Sequence, residues 1–439
     1  MRARRQVLVT GLVLGYLAAA GATLALGERV AGGTWLALHL LLLGAATNAI
    51  VVWSEHFAAA LLRVPRAGER AATARALALN LGVLAVLAGV HAGRPALFAG
   101  GAWLVGAVVL AHAATLAAGI RRAFGARLAG TVWFYVAASA ALLAGMGLGV
   151  LLAGGATGSA DSYRAMRLAH VHLNVLGWVG LAVVGTQFTL WPTVLRTRMV
   201  ADPRRAGGWS LPLMAGGLAV TATGLLAQRR AVAVAGLAGY GAGLGVALVP
   251  FVRTAMRRRP HTAASWMLAA GVAWFAAVAA DLVALAGSER VVDLDGRIER
   301  LVPAVAVGFG LQVLTGALTY LLPVVWGRGA YGNRRLTAVL EAGWRPRAAA
   351  ANLGVLLLVA GPSGGLGEPC RLVVGRAWAL APSCRWRRRR RWPGESSRTP
   401  ARMRPPQALA ASAAPAPSRH AVYTSPARAT SLSSISPMA

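Results

Sequence analysis

The sequence has 439 residues, of which 57% are hydrophobic and only 13% charged, about half the charged share of an ordinary soluble domain. Its formal net charge is +32, yet the arginines fall mainly in short segments between long apolar runs and in the C-terminal stretch. That distribution is a topology signal, not a nucleic-acid-binding surface. Composition therefore excludes a soluble enzyme and a nucleic-acid partner, and predicts an all-α, polytopic transmembrane helical bundle in contact with membrane lipid.

The opening MRARRQVLVTGLVLGYLAAAGATLAL has a basic start and a long apolar run. No small-residue cleavage site follows, so it reads as a first span and not as a removed signal. About eleven spans are predicted in all, at roughly 6–26, 33–53, 72–91, 96–120, 130–154, 168–195, 208–227, 231–251, 263–287, 301–326 and 347–361. Arginine clusters mark alternate loops: the starting RARR, Arg63 with Arg66 and Arg70, Arg121 with Arg122 and Arg127, Arg196 to Arg205, Arg253 to Arg259, and Arg328 with Arg334 and Arg335. The opposite loops are short or acidic, as in SERVVDLDGRIER, with Arg229 and Arg230 the exception. Positive-inside counting puts the N-terminus in the cytoplasm. A multi-pass protein of a bacterial cell membrane is expected; the Ala, Gly and Arg bias with no lysine fits a GC-rich gene.

The apolar pattern stops after NLGVLLLVAGP. Residues 1–361 form the predicted transmembrane domain. Residues 362–439 form an Arg-, Pro-, Ser- and Ala-rich tail that reads as disordered, and as an out-of-frame extension. Cys370, Cys384 and His420 lie in that tail and carry no expected role. The membrane body then has no thiol chemistry.

Of the eight histidines, seven lie outside the tail, and an ionisable group inside a span is a functional candidate by default. His39 falls about 9 Å below the outer end of span 2 at 1.5 Å per residue. His91 ends span 3 on the outside, and His170 and His172 open span 6 from the outside, so four converge on the outer half. A histidine at a helix end can also simply sit among headgroups. His112 lies deeper in span 4, and His56 and His261 fall on the cytoplasmic side. Residues i and i+2 on a helix point about 200° apart, so the pair in AHVHLNVLGWVG suits two separate sites. Haem iron takes axial histidine, with a second group fixing the ring tautomer. Asn174 shares a face with His170, and Gln187 and Asn48 are nearby polar groups. Asp281 in span 9 reads either as a proton carrier or haem-propionate neighbour, or as a carboxylate reaching to the interface. Gln312 and Tyr320 read as interhelical hydrogen-bonding groups, and the tryptophans as interfacial anchors.

The segment HVHLNVLGWVG, followed by TLWPTVL, resembles the helix of haem–copper oxidase catalytic subunits that carries ligands for both haems, above all in the C-type branch. LHLLLLGAATNAIVVW is similar to the early ligand helix of that family. The resemblance covers roughly spans 2–6. It implies a cofactor role for His170 at a high-spin site, and for His172 with His39 as a bis-histidine pair on a low-spin haem, with His91 a further candidate. The family's copper centre needs a histidine on a middle span and a His-His pair on the next. No His-His occurs and spans 7–11 hold no histidine, so copper within this chain, oxygen reduction and proton pumping are not expected. FGLQVLTGALTYLLPVVWGRG and the overall layout resemble actinobacterial membrane proteins linked to copper nitrite reductase or multicopper oxidase domains.

The expected function is a haem-binding electron-transfer protein that relays electrons, from quinol or another donor, to a cupredoxin-type copper protein on the outer face. Two alternatives stay open: a haem- or copper-handling or nitric-oxide-response membrane protein without turnover, and a transporter. Whether the chain is itself an enzyme or an oxidoreductase component stays open with them.

Overall fold

In a computed structural model, residues 2–65, 68–123, 129–200, 202–288, 294, 298–326 and 329–360 are described. The tail expected over 362–439 lies outside them. Ten helices among the described residues are long and apolar enough to cross a membrane. They are α1 (Arg2–Leu26), α2 (Gly33–Leu62), α3 (Glu69–His91), α4 (Pro95–Arg122), α5 (Ala129–Ala153), α6 (Ala160–Val194), α7 (Pro203–Leu226), α8 (Arg230–Arg257), α9 (Ala263–Ser288) and α10 (Glu299–Trp326). The chain is an all-α multi-pass membrane bundle. Two shorter helices follow, α11 (Gly329–Glu341) and α12 (Trp344–Ala360). The eleventh expected span falls on α12, which has 17 residues. Helix α11 was not anticipated; it is amphipathic, setting Leu336 and Leu340 against the core at helical spacing.

Two boundaries differ from the sequence reading in ways that matter. Helix α2 continues to Leu62, because nothing between Ser54 and Leu62 breaks a helix. Helix α6 starts at Ala160, where the Ser159 side chain accepts the backbone N–H of Ser162 at 3.1 Å and Asp161 occupies the first turn. His170 and His172 are therefore in the third and fourth turns of a 35-residue helix and not at its start.

Helix α6 is the axis of the bundle: 83% of its most apolar window is buried, against 28–56% for the other spans. Around it, consecutive helices pair closely. A Cβ added at Gly101 on α4 would stand 2.7 Å from the Val86 nitrogen on α3, and one at Gly217 on α7 would stand 2.6 Å from the Gly236 carbonyl oxygen on α8. Small residues let these backbones touch, the usual source of cohesion where lipid and helix are equally apolar.

Three helices contain π-helical stretches, Leu40–Ala46 in α2, Leu173–Leu181 in α6 and Ala304–Leu311 in α10. Such i→i+5 turns are uncommon, and they frequently mark functional sites. They shift the hydrogen-bonding register of the backbone, and in a membrane interior each carbonyl left over needs a partner. Thr47 donates to the Leu42 carbonyl at 3.0 Å and Asn48 to the Gly44 carbonyl at 2.9 Å. Tyr240 on α8 donates to the Leu176 carbonyl at 2.8 Å. The Trp178 indole N–H donates to Thr47 Oγ1 at 3.0 Å, tying the α6 stretch to the end of the α2 stretch.

Replacing Thr47 with Val keeps the volume but orphans the buried Trp178 N–H, while the Leu42 carbonyl keeps the backbone N–H of residue 47. We expect a loss of about 1–3 kcal/mol in stability, read as a lower unfolding temperature in detergent. The conservative Thr47→Ser should retain most of it.

Candidate functional site

On the side opposite the arginine-rich loops, His39 ends the regular first part of α2 and His172 ends that of α6; a π-helical stretch starts at the next residue in both. The three candidate histidines share one feature. Each presents Nδ1 to a backbone carbonyl at 2.8 Å: His39 to Trp35, His170 to Gly145, and His172 to Leu168. A carbonyl only accepts, so the proton sits on Nδ1 and the Nε2 lone pair is left over. Nε2 carries no hydrogen bond in any of the three among the described residues. That is the tautomer of a histidine that ligates through Nε2 with its other nitrogen held by a carbonyl.

The rings are held rigidly. His39 stacks on Trp35 with centroids 4.1 Å apart and planes at 27°. His170 lies across α5, where Gly145 and Gly149 leave room: a Cβ at Gly149 would stand 3.0 Å from the His170 Cε1 atom. Asn174 is on the same face and donates to the His170 carbonyl at 2.7 Å. His172 faces the core and is 3% exposed. The two residues of the His-x-His thus point to different surroundings, as helix geometry requires.

His39 and His170 are near enough to interact electrostatically; the hydrogen bonds of His39 and His172 stay within their own helices, and that of His170 crosses to α5. The remaining candidates sit apart from them. His91 is exposed at the end of α3, and Asp281 is exposed on α9. Among the described residues no three His, Cys, Asp or Glu side chains converge on a point that could hold a bare metal ion. One or two imidazoles with free Nε2 atoms suit the axial positions of a haem better than a metal ion that needs a full protein shell.

A second polar cluster lies toward the arginine-rich side and was not foreseen. Glu55 Oε1 on α2 accepts from Arg75 on α3 at 2.8 Å, and it lies 3.3 Å from Nδ1 of His112 on α4. His112 Nε2 is 3.1 Å from the Ser54 hydroxyl. His112 is fully buried, while Glu55 and Arg75 are 12% and 17% exposed. A carboxylate this deep persists because the guanidinium compensates its lost hydration. The signal was present in the sequence: Glu55 is an acidic residue in an apolar run, as Asp281 is. It was missed because a span ending near residue 53 placed Glu55 in a loop.

Glu55→Gln leaves the Arg75 charge without its counter-ion in a mostly buried position, so we expect a loss of about 3 kcal/mol. Combining it with Arg75→Met should recover most of that loss. Unfolding of the single and double variants in the same detergent measures both effects. No protein-family model matches this chain, and no curated protein is significantly similar to it.

Proposed function

We propose that this chain is a haem-binding electron-transfer protein of a bacterial cell membrane. It takes electrons from a lipid-soluble donor of the quinol type and passes them to a cupredoxin-type copper protein on the outer face. The observation that carries this reading is the common presentation of His39, His170 and His172, each with Nδ1–H donated to a carbonyl and Nε2 unengaged. We assign His39 and His170 as the residues that would hold the haem, on the strength of their mutual proximity. This differs from the His39–His172 pairing that the oxidase resemblance implies. His172 then serves as a separately placed ligand or as a core residue beside the π stretch. When bound, the haem would supply one-electron chemistry; Trp35 holds the ring of His39, and Gly145 and Gly149 leave room for Asn174 and the ring of His170. Siting near the outer end shortens the electron path to an external acceptor.

The absorption spectrum of protein purified with haem supplied during expression tests this directly. A sharp reduced Soret and α band is expected, with a low-spin bis-histidine signal in electron paramagnetic resonance. His39→Ala and His170→Ala should each abolish that signal, and His172→Ala should spare it. Loss in His172→Ala with retention in His170→Ala would return the pairing to His39 and His172. A colourless wild-type protein after haem supplementation overturns the haem reading altogether.

A further inference from the structure

At the arginine-rich end of the bundle, a cavity of about 620 Å³ opens between the beginnings of α9 and α12. Ordinary small-molecule sites enclose about 300–1,000 Å³. One wall is the face of α12 that carries Arg345, Ala348 and Ala349, at helical spacing. The other is the start of α9, with His261 just ahead of it and Trp266 in its first turn. The alanines leave the space that longer side chains would fill.

Four polar groups on these walls have hydrogen-bonding capacity to spare. The Arg345 guanidinium lies 5.7 Å from the centre of the Trp344 ring and makes no hydrogen bond or ion pair among the described residues. Arg347, by contrast, is held by the Leu340 carbonyl at 2.9 Å. The indole N–H groups of Trp266 and Trp344, which both line the cavity, also have no acceptor among the described residues. His261 donates Nδ1–H to the Arg259 carbonyl at 3.3 Å, which leaves Nε2 as an acceptor. The floor is closed, since Asn352 accepts from Trp274 at 2.7 Å and from Gln312 at 3.0 Å. No carboxylate lines the cavity among the described residues. Glu341 is the nearest in sequence to Trp344, whereas Arg257, Arg258 and Arg259 run directly into Pro260 at the cavity wall.

We propose that this cavity holds the headgroup of an anionic, hydroxyl-bearing phospholipid of the phosphatidylglycerol type, from the leaflet on the arginine-rich side. The spare donors and the spare acceptor set the chemistry. A phosphodiester offers acceptors and a negative charge, which suits a guanidinium and two indole N–H groups. A glycerol hydroxyl supplies the donor that His261 Nε2 lacks. A choline headgroup has no such donor and would bring a second cation up to Arg345. Both helices begin here, so the positive ends of their dipoles add to the attraction. Trp266 is 47% exposed, as tryptophans at the level of lipid headgroups are. This site is independent of the haem reading, and its test involves neither pigment nor electron transfer.

Native mass spectrometry of the full chain, released from detergent, counts bound lipid during titration with dioleoyl phosphatidylglycerol, phosphatidylmethanol or phosphatidylcholine. Phosphatidylglycerol is expected to bind most tightly. Phosphatidylmethanol, which keeps the charge and lacks the hydroxyls, should come second, and phosphatidylcholine last. Arg345→Gln should weaken phosphatidylglycerol binding about fivefold and leave the unfolding temperature unchanged, since that side chain is exposed. His261→Phe should erase the margin of phosphatidylglycerol over phosphatidylmethanol. Ala349→Trp, which fills the cavity and keeps both polar groups, should also block binding. Equal binding of phosphatidylglycerol and phosphatidylcholine overturns the proposal. So does undiminished binding in Arg345→Gln, an equal loss in Arg121→Gln at the end of α4, or displacement of the lipid by inorganic phosphate. Retention of the margin in His261→Phe overturns the hydroxyl assignment.

Discussion

The bundle depends on one constraint: inside hydrocarbon, every backbone carbonyl and N–H needs a partner from the protein itself. Regular helices meet it automatically, whereas the π-helical stretches of α2, α6 and α10 do not. Thr47 and Asn48 donate to carbonyls of the α2 stretch, Tyr240 to one in α6 and Gln312 to one in α10. The Tyr240 bond joins α8 to α6 and the Trp178–Thr47 bond joins α6 to α2, so side chains at the π stretches also fasten the central helices together. Glycines make the repair sterically feasible. At Gly44 a Cβ would come within 2.5 Å of the Tyr16 ring, and at Gly308 within 2.7 Å of Trp274.

The π stretches also organise the chemistry. His39 and His172 are the last residues of regular helix before two of them. A change of helical period there rotates everything that follows relative to the histidine. The imidazoles can thus face their own surroundings while Trp178 and Thr47 meet across the interface. The outer histidines are hydrogen-bonded through Nδ1 to backbone carbonyls, and a neutral imidazole so bonded costs little to bury. The inner cluster solves the same problem differently, by pairing Glu55 with Arg75 and placing His112 against the carboxylate. Two polar sites at two depths, one uncharged and one ion-paired, are compatible with one apolar bundle because each is internally compensated.

Apolar runs determined most of the architecture by themselves. The free energy of placing some twenty apolar residues in a bilayer depends on composition and length alone. Ten of the eleven expected spans could therefore be read without knowing the neighbours, but the place of His170 and His172 along their helix could not, since α6 begins at Ala160 and not near residue 168. The 200° separation of His170 and His172 was legible for the same reason, since it follows from helical pitch.

Which helix faces which, and at what rotation, is not a local property. The pairing of Glu55 with Arg75 and His112 draws on three helices. Residue 48 meeting residue 80 across α2 and α3 likewise follows only from how glycine-faced helices settle together. The surroundings of His39 and His170 likewise depend on the turn of α2 against α5 and α6. The vacant amide of Gln187 is the sharpest case. In sequence it is one glutamine in an apolar run, like Gln312. Gln312 found Asn352 within 3.0 Å, and Gln187 found no hydrogen-bond partner among the described residues. Composition fixed that both would be buried; only the packing of neighbouring helices decided which one would be left unpaired.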